Sequence, residues 1–312
     1  MGKTKVLLAF PVADNQTGVH IKDSFEALGC EVTVVDAKVE PEKTVAQAIR
    51  VKPDILFCSR TPTLLPSVEY IRTRMPWVWT ACWNVDTRSS VKKLPHSEKL
   101  LKLFDRFHVF YTIAVGNIEE YQEICRNTKV LHLQQGMDPR SHGPVEITDE
   151  DRAKYGCDVM FAGSVNSVHG DREEIISYVK KQGFNMKFYG PGNYVKNEEH
   201  SKACRCAKVV IGHSGWPKTA ISMSVRDYKV MGCGGFLLTN AVKDIEKWFE
   251  VGKMCDTYAS KEECVEKIRY YLEHEDERKA IAEHGQEMVS TKHRYLDRMK
   301  SVLENYKNLV GR

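Results

Sequence analysis

The chain has 312 residues, enough for two domains of about 150 each, and its 42% hydrophobic and 28% charged residues are the balance of an ordinary globular protein. A net charge of +4 neither demands nor excludes a nucleic-acid or acidic partner. No apolar run approaches the roughly 18 residues of a membrane span, and the start, Met1-Gly2-Lys3-Thr4-Lys5, leads into a strand rather than a signal peptide, so a cytoplasmic location is expected.

The first half alternates strand and helix signals. Lys5–Phe10 reads as a buried strand, Gly18–Leu28 as an amphipathic helix closed by Gly29, and Glu31–Asp36 as a second strand. A helix from Pro41 to about Arg50, a strand at Asp54–Ser59 and a helix at Leu65–Arg74 follow. Strands at Pro76–Trp83 and Arg106–Tyr111 flank a helix at 97–104; a helix at Ile118–Cys125 and a strand at Lys129–Leu133 complete the set. Trp77, Trp79 and Trp83 alternate and so share one strand face, read as core. Continuous apolar strands separated by helices predict parallel pairing with both sheet faces covered.

Gln135–Tyr155, with Gly136, Pro139, Gly143 and Pro144 and no steady period, reads as a connection. The alternation then restarts with a strand at Asp158–Ala162, a helix at Asp171–Gln182, and strands at Asn185–Tyr189 and Lys208–Gly212. A helix beginning near Ser222, a strand at Phe236–Thr239 and a helical tail end the chain. The expected fold is therefore α/β, with two Rossmann-like, doubly wound domains facing a central cleft. The first spans 1–140, the second 156–292, and a C-terminal helix over 293–312 returns toward the first.

The chemistry concentrates in four loops that follow strands of the second half. They are Gly163-Ser164-Val165-Asn166, Gly190-Pro191-Gly192-Asn193, Gly212-His213-Ser214-Gly215 running to Lys218, and Ser222–Asn240. In the last, Ser222, Ser224 and Arg226 open a helix, and Gly232, Gly234 and Gly235 close it before Phe236-Leu237-Leu238-Thr239. Hydroxyls, small residues and a helix N-terminus, with Arg172, Lys218 and Arg226 in range, suit a phosphate-bearing ligand. An ordinary helix end followed by a strand is the plainer alternative. Pro11–Gly18 opens the first helix at the equivalent place, so Asp14, Asn15 and Gly18 are candidate acceptor ligands or simply a capped turn. Asp86 follows a strand, as a candidate general base, acceptor ligand or cap. Arg72, Arg74, Arg88, Lys92 and Lys93 form a basic run, read as a solvated face or as a hold for a phosphate-rich acceptor. The ten cysteines include no Cys-x-x-Cys pair, and Cys204 with Cys206 lacks a second pair, so reduced, buried thiols and no metal site are expected.

Asp158–Arg298 resembles the C-terminal domain of CgeB-like (spore-maturation-type) glycosyltransferases, a GT-B family. The matching pieces are Asp-Val-Met-Phe-Ala-Gly-Ser at 158–164, Phe-Tyr-Gly at 188–190, Ser-Val-Arg-Asp-Tyr at 224–228 and Gly-Cys-Gly-Gly-Phe-Leu-Leu-Thr at 232–239. Tyr-Tyr-Leu-Glu-His at 270–274 and Arg278 through Gly285 continue the series, with looser similarity at Trp83–Asp86 and Gln135–Pro139. The resemblance implies a nucleotide-sugar donor, a UDP-sugar above all, in the second domain. It implies an acceptor held mainly by the first. A glycan, a protein and a small molecule are all open as that acceptor, and the basic run of the first half motivates a modified DNA base as a further candidate. No cofactor beyond the donor and no essential metal are expected. Arg226, supported by Lys218, would neutralise the leaving diphosphate, and Asp86 would act on the acceptor. Gly163, Ser164, Gly190, His213, Ser224, Tyr228, Lys229, Gly234 and Gly235 would shape the donor pocket. Lys229 departs from the family, which places a glutamate there to accept hydrogen bonds from the donor ribose; an ammonium accepts none. A non-catalytic nucleotide-sugar-binding module is therefore the rival reading. A nicotinamide-dependent oxidoreductase lacks its Gly-x-Gly-x-x-Gly after a strand.

Overall fold

A computed structural model describes residues 2–13, 16–87, 91, 97–165, 171–215 and 219–310. The chain forms two compact units, Met1–Gln134 with Tyr295–Arg312, and Gln135–Arg294.

The first unit is built on strands β1 (Lys5–Phe10), β2 (Glu31–Asp36), β3 (Ile55–Ser59), β4 (Trp79–Asn84), β5 (Val109–Thr112) and β6 (Lys129–His132). They pair in the order β2-β1-β3-β4-β5-β6, and every pairing is parallel. The connecting helices are α1 (Thr17–Ala27), α2 (Lys43–Val51), α3 (Leu65–Arg74), α4 (Ser97–Phe104) and α5 (Ile118–Ile124). Alternation along each strand sends successive side chains to opposite faces. Leu7 and Ala9 join one core with Leu56, Phe104 and Phe110, while Val6, Leu8 and Phe10 join another with Phe57 and Trp83. The second core is closed by α13 (Tyr295–Val310), which lays Tyr295, Met299 and Val302 on it beside α1. Trp77 departs from the expected strand face: it precedes β4 and is 52% exposed, whereas Trp79 and Trp83 are buried.

The second unit repeats the design with β7 (Cys157–Ala162), β8 (Met186–Tyr189), β9 (Ala207–Ile211), β10 (Leu237–Asn240) and β11 (Asp256–Tyr258). Its parallel order, read from the other edge, is β8-β7-β9-β10-β11, which matches the first five strands of the first sheet. Val159 and Phe161 point to one face with Val209 and Ile211; Met160, Val210 and Leu237 point to the other. Its helices are α6 (Pro139–His142), α7 (Asp149–Tyr155), α8 (Arg172–Lys180), α9 (Glu198–Cys206), α10 (Val225–Gly232), α11 (Lys261–Glu273) and α12 (Glu275–Lys292).

Two elements correct the sequence expectations. Gln135–Tyr155 is not a bare connection. Met137 bridges to Arg294, and α7 is fixed by a capping box in which the Thr148 hydroxyl accepts from Asp151 N and the Asp151 carboxylate accepts from Thr148 N. Helix α9 was not expected, because its buried face is His200, Ser201, Ala203 and Cys204, small and polar residues that leave no apolar stripe to read. No helix among the described residues is long and apolar enough to cross a membrane.

Candidate anion-binding site

In the second sheet β8 and β9 flank β7, so chain direction across the sheet reverses at the β7/β9 step. Open α/β sheets bind ligands outside the carboxyl ends of the strands at such a step. Two arginines occupy it. Arg226, in the first turn of α10, donates from Nε to the Ala162 carbonyl at the end of β7, and from Nη1 to the His213 carbonyl beyond β9 at 3.4 Å. Its guanidinium lies over the Phe161 ring, 4.6 Å from the centroid. Arg172, the first residue of α8, donates from Nη1 to the Ser164 carbonyl and from Nη2 to the His213 carbonyl, each at 2.9 Å. It is only 5% exposed. Burial first, and the Arg226 charge second, push its pKa down to about 9. Burial lowers that of Arg226 too. Both guanidiniums are thus held by backbone carbonyls, with positive charge to spare.

The close approach needs Gly163. Its φ is +147°, and a Cβ there would stand 2.1 Å from Arg226 Nη2. The loop after β8 packs against the same place: Gly163 N donates to Tyr189 O at 2.8 Å, and a Cβ on Gly190 would meet the Phe188 ring and the Gly163 carbonyl.

Asp227, which carries no ligand-binding signature of its own in the sequence, organises the start of α10. It is wholly buried. Its carboxylate accepts from Ser214 Oγ and Ser224 N, both at 3.1 Å, and from Thr239 Oγ1 at 3.5 Å. Burial raises its pKa to about 6 against the opposing pull of Arg226, so it is ionised at neutral pH. Ser224 and Asp227 form a capping box, and the Ser224 hydroxyl accepts from Arg226 N. The helix N-terminus is therefore largely satisfied by its own side chains, which leaves the two guanidiniums as the groups here able to meet an anion. The Ser-x-x-Asp spacing of a capping box is the sequence signal that could have revealed Asp227.

His213 acts through its backbone. Its ring is 1% exposed, with Nε2 2.8 Å from Asp171 Oδ1 and Nδ1 3.1 Å from the Tyr258 hydroxyl, which itself donates to Gly212 O. Burial pushes its pKa down to about 4 despite Asp171. The imidazole anchors the loop and the carbonyl receives both arginines. Asn240 fixes the same loop by exchanging two hydrogen bonds with the Ser214 backbone.

The other predicted residues fall in three groups. Gly163, Ser164, Gly190, His213, Ser224 and Arg226 are brought together. Tyr228, Gly234 and Gly235 are not. The Tyr228 ring is wholly buried against Phe249 and His293, so it is core. Gly234 and Gly235 follow α10 and precede β10, at the amino ends of the strands and so on the edge opposite Arg226. Gly234 is there for a turn at φ +79°, and Gly235 because a Cβ would stand 3.0 Å from Cys204 O. Lys229 is half-buried one turn beyond Arg226; desolvation drives its pKa down to about 8.

In the first unit Asp86 is ion-paired with Arg60 at the carboxyl ends of β3 and β4, a partner that the sequence did not suggest. Gly18 has a packing reason: a Cβ would stand 2.2 Å from Pro11 O. Arg72 and Arg74 end α3 on the way back to the start of β4, at the amino edge of the sheet, so they do not join residues that follow β4. Asp14, Asn15, Arg88, Lys92, Lys93 and Lys218 lie outside the described residues.

Residues 171–304 match the model of a family described as Glycosyl transferase-like. A sequence search of curated proteins gives no match. Among solved structures, the chain is similar to sucrose-phosphate synthase from Thermosynechococcus elongatus, with TM-score 0.67 and 11% identity over 99% of this chain and 100% of that one. It is similar to Anabaena Alr3699/HepE in complex with UDP and glucose, with TM-score 0.65 and 14% identity over 98% and 100%. It is also similar to an alpha-glucosyltransferase in complex with UDP and a 13-mer DNA containing a HMU base, with TM-score 0.68 and 12% identity over 98% and 100%. The fold is that of these proteins, GT-B, with two Rossmann-like parallel sheets in one chain.

Proposed function

We propose that this chain is a glycosyltransferase of the CgeB-like type, which moves a sugar from a UDP-sugar to a hydroxyl acceptor. The observation that carries this reading is the pair Arg226 and Arg172 at the β7/β9 step, two guanidiniums hydrogen-bonded to carbonyls, with the single buried charge of Asp227 as the acidic neighbour of both among the described residues. A nucleoside diphosphate supplies the missing negative charge. As the glycosidic bond to the diphosphate breaks, Arg226 stabilises the charge that develops on the leaving oxygen, and Arg172 holds Ser164 and His213 in place around it. Lys218 adds a further positive charge in this scheme. Guanidiniums doing this work make a metal ion unnecessary at the diphosphate. Two solved neighbours, bound to UDP, support the choice of nucleotide. In the first unit, Asp86, oriented by Arg60, is our proposed acceptor-side carboxylate, and Asp14, Asn15 and Gly18 are further acceptor-side candidates. A modified base in DNA is one acceptor to test, since one neighbour was solved with such DNA.

Calorimetric titration of UDP, GDP, CDP, ADP and their sugar conjugates, with and without chelator, tests the reading. UDP binding that survives the chelator and is lost in Arg226→Ala is expected; no binding by any nucleotide refutes it. Lys229→Glu separates the enzyme from a degenerate binding module. Donor affinity or hydrolysis rises in that variant if the site is degenerate, and falls if the lysine is a working residue.

A further inference from the structure

At the other end of α10, far from the arginines, three metal-capable donors converge from two helices. His200 and Cys204 are four residues apart on one face of α9, and Cys233 follows the last turn of α10. Their donor atoms all lie within 4.8 Å of one another. His200 Nδ1 is 3.7 Å from both the Cys204 and Cys233 sulfurs. A tetrahedral zinc ion with bonds of about 2.3 Å to sulfur and about 2.0 Å to nitrogen would space those atoms about 3.6 Å apart. Both cysteines are wholly buried, and His200 is 8% exposed. A second histidine stands beside them: the buried His142 ring is 6.3 Å from that of His200 and nearly perpendicular to it.

We propose that His200, Cys204 and Cys233 form a site for a soft, tetrahedral divalent ion, zinc in the first place, with the fourth corner open to His142 or water. Two thiolates with imidazole select such an ion over magnesium or calcium, which prefer oxygen. The site is structural, because it lies at the amino ends of β9 and β10, on the edge opposite Arg226. There it pins three segments that already touch. The Gly235 Cβ position is 3.0 Å from Cys204 O, and that of Gly232 is 2.9 Å from His142 O. The sequence concealed this site because Cys233 belongs to a different helix and no Cys-x-x-Cys spacing announces it.

The rival explanation is that the thiols simply donate S–H hydrogen bonds to the imidazole. Full-length, chelator-stripped, reduced protein is titrated with Co2+ and then Zn2+. One equivalent of Co2+ is expected to give a sulfur-to-cobalt charge-transfer band, which Zn2+ displaces, and Zn2+ alone is expected to raise Tm. His200→Asn and Cys233→Ser, shown to be folded by circular dichroism, lose the band; Cys206→Ser keeps it. Should either variant misfold, wild-type protein decides the matter: Zn2+ protects Cys204 and Cys233 together from alkylation, and Cys206 much less. No charge-transfer band with excess Co2+, a band that survives in folded Cys233→Ser, or equal alkylation with and without Zn2+ overturns the site.

Discussion

Replacing Lys229 with methionine should stabilise the protein at neutral pH and weaken its hold on the donor. Lys229 is half-buried, and desolvation first, then the Arg226 charge, bring its pKa from 10.5 to about 8, with only Cys233 pulling the other way. At about 1.4 kcal/mol per pH unit that difference corresponds to about 3 kcal/mol, and residual water around a half-buried amine reduces it to about 2. Methionine keeps the unbranched stem and removes the charge. The folded pKa lies below the unfolded one, so the penalty is complete below pH 8, shrinks between 8 and 10.5 as the folded state loses its proton first, and vanishes above. Urea unfolding of both proteins at pH 7 and pH 10 measures this. The variant should be about 2 kcal/mol more stable at pH 7, with about a quarter of that advantage left at pH 10. An advantage equal at the two pH values, or a less stable variant at pH 7, refutes the burial argument. The same variant tests the donor role. If the ammonium meets the diphosphate, wild-type UDP affinity falls as pH rises through 8, while the affinity of Lys229→Met is lower and flat.

Three further outcomes follow from the geometry. Gly163→Ala forces Cβ onto Arg226 Nη2 in a backbone region that suits only glycine; UDP affinity should drop at least about tenfold by calorimetry, with circular dichroism unchanged. Asp227→Ala takes the acceptor from the buried Ser214 and Thr239 hydroxyls and leaves Ser224 N–H with Ser214 Oγ alone, and should cost about 2–3 kcal/mol in urea unfolding. Asp227→Asn should cost less than about 1, since its amide oxygen can accept from Ser214 and Ser224 while its NH2 donates to Thr239. Arg172→Lys cannot span the Ser164 and His213 carbonyls with one ammonium; UDP affinity should fall about tenfold while Tm changes little.

The sheets were legible because the central strands, such as β1, β3 and β4, are short runs of mostly apolar residues buried on both faces, which leaves one reading. Val-Leu-Leu-Ala-Phe at 6–10 gives a strand with its boundaries, and β2 and α3 match their expected ranges residue for residue. What failed was whatever depends on residues distant in sequence. Gly234 and Gly235 looked like ligand glycines because they adjoin the Ser224–Arg226 motif. Yet α10 carries the chain across the full depth of the sheet before they occur, so they emerge at the wrong edge. Tyr228 shares its helix with Arg226 but points inward, since two residues along a helix turn the side chain by about 200°. Asp227 and Arg60 were missed for a related reason. A carboxylate that caps a helix and a guanidinium that orients another carboxylate are defined by their partners, not by the composition around them.

Helix α10 shows how one short element ties these observations together. Its first turn carries Arg226 and the Asp227 network, Lys229 sits midway, and Cys233 follows its end. Each of the polar groups is buried enough to shift its titration, and each is costly unless something compensates it. Asp227 is compensated by hydroxyls and an N–H within the fold. Arg226 hydrogen-bonds only to carbonyl oxygens among the described residues, and the nearby Asp227 charge is shared with Arg172; Lys229 has Cys233 as its one attractive neighbour in the electrostatic balance. A helix kept with two under-compensated cations on successive turns is explained by a ligand that brings the anion, since a packed core alone would have favoured apolar residues at both positions.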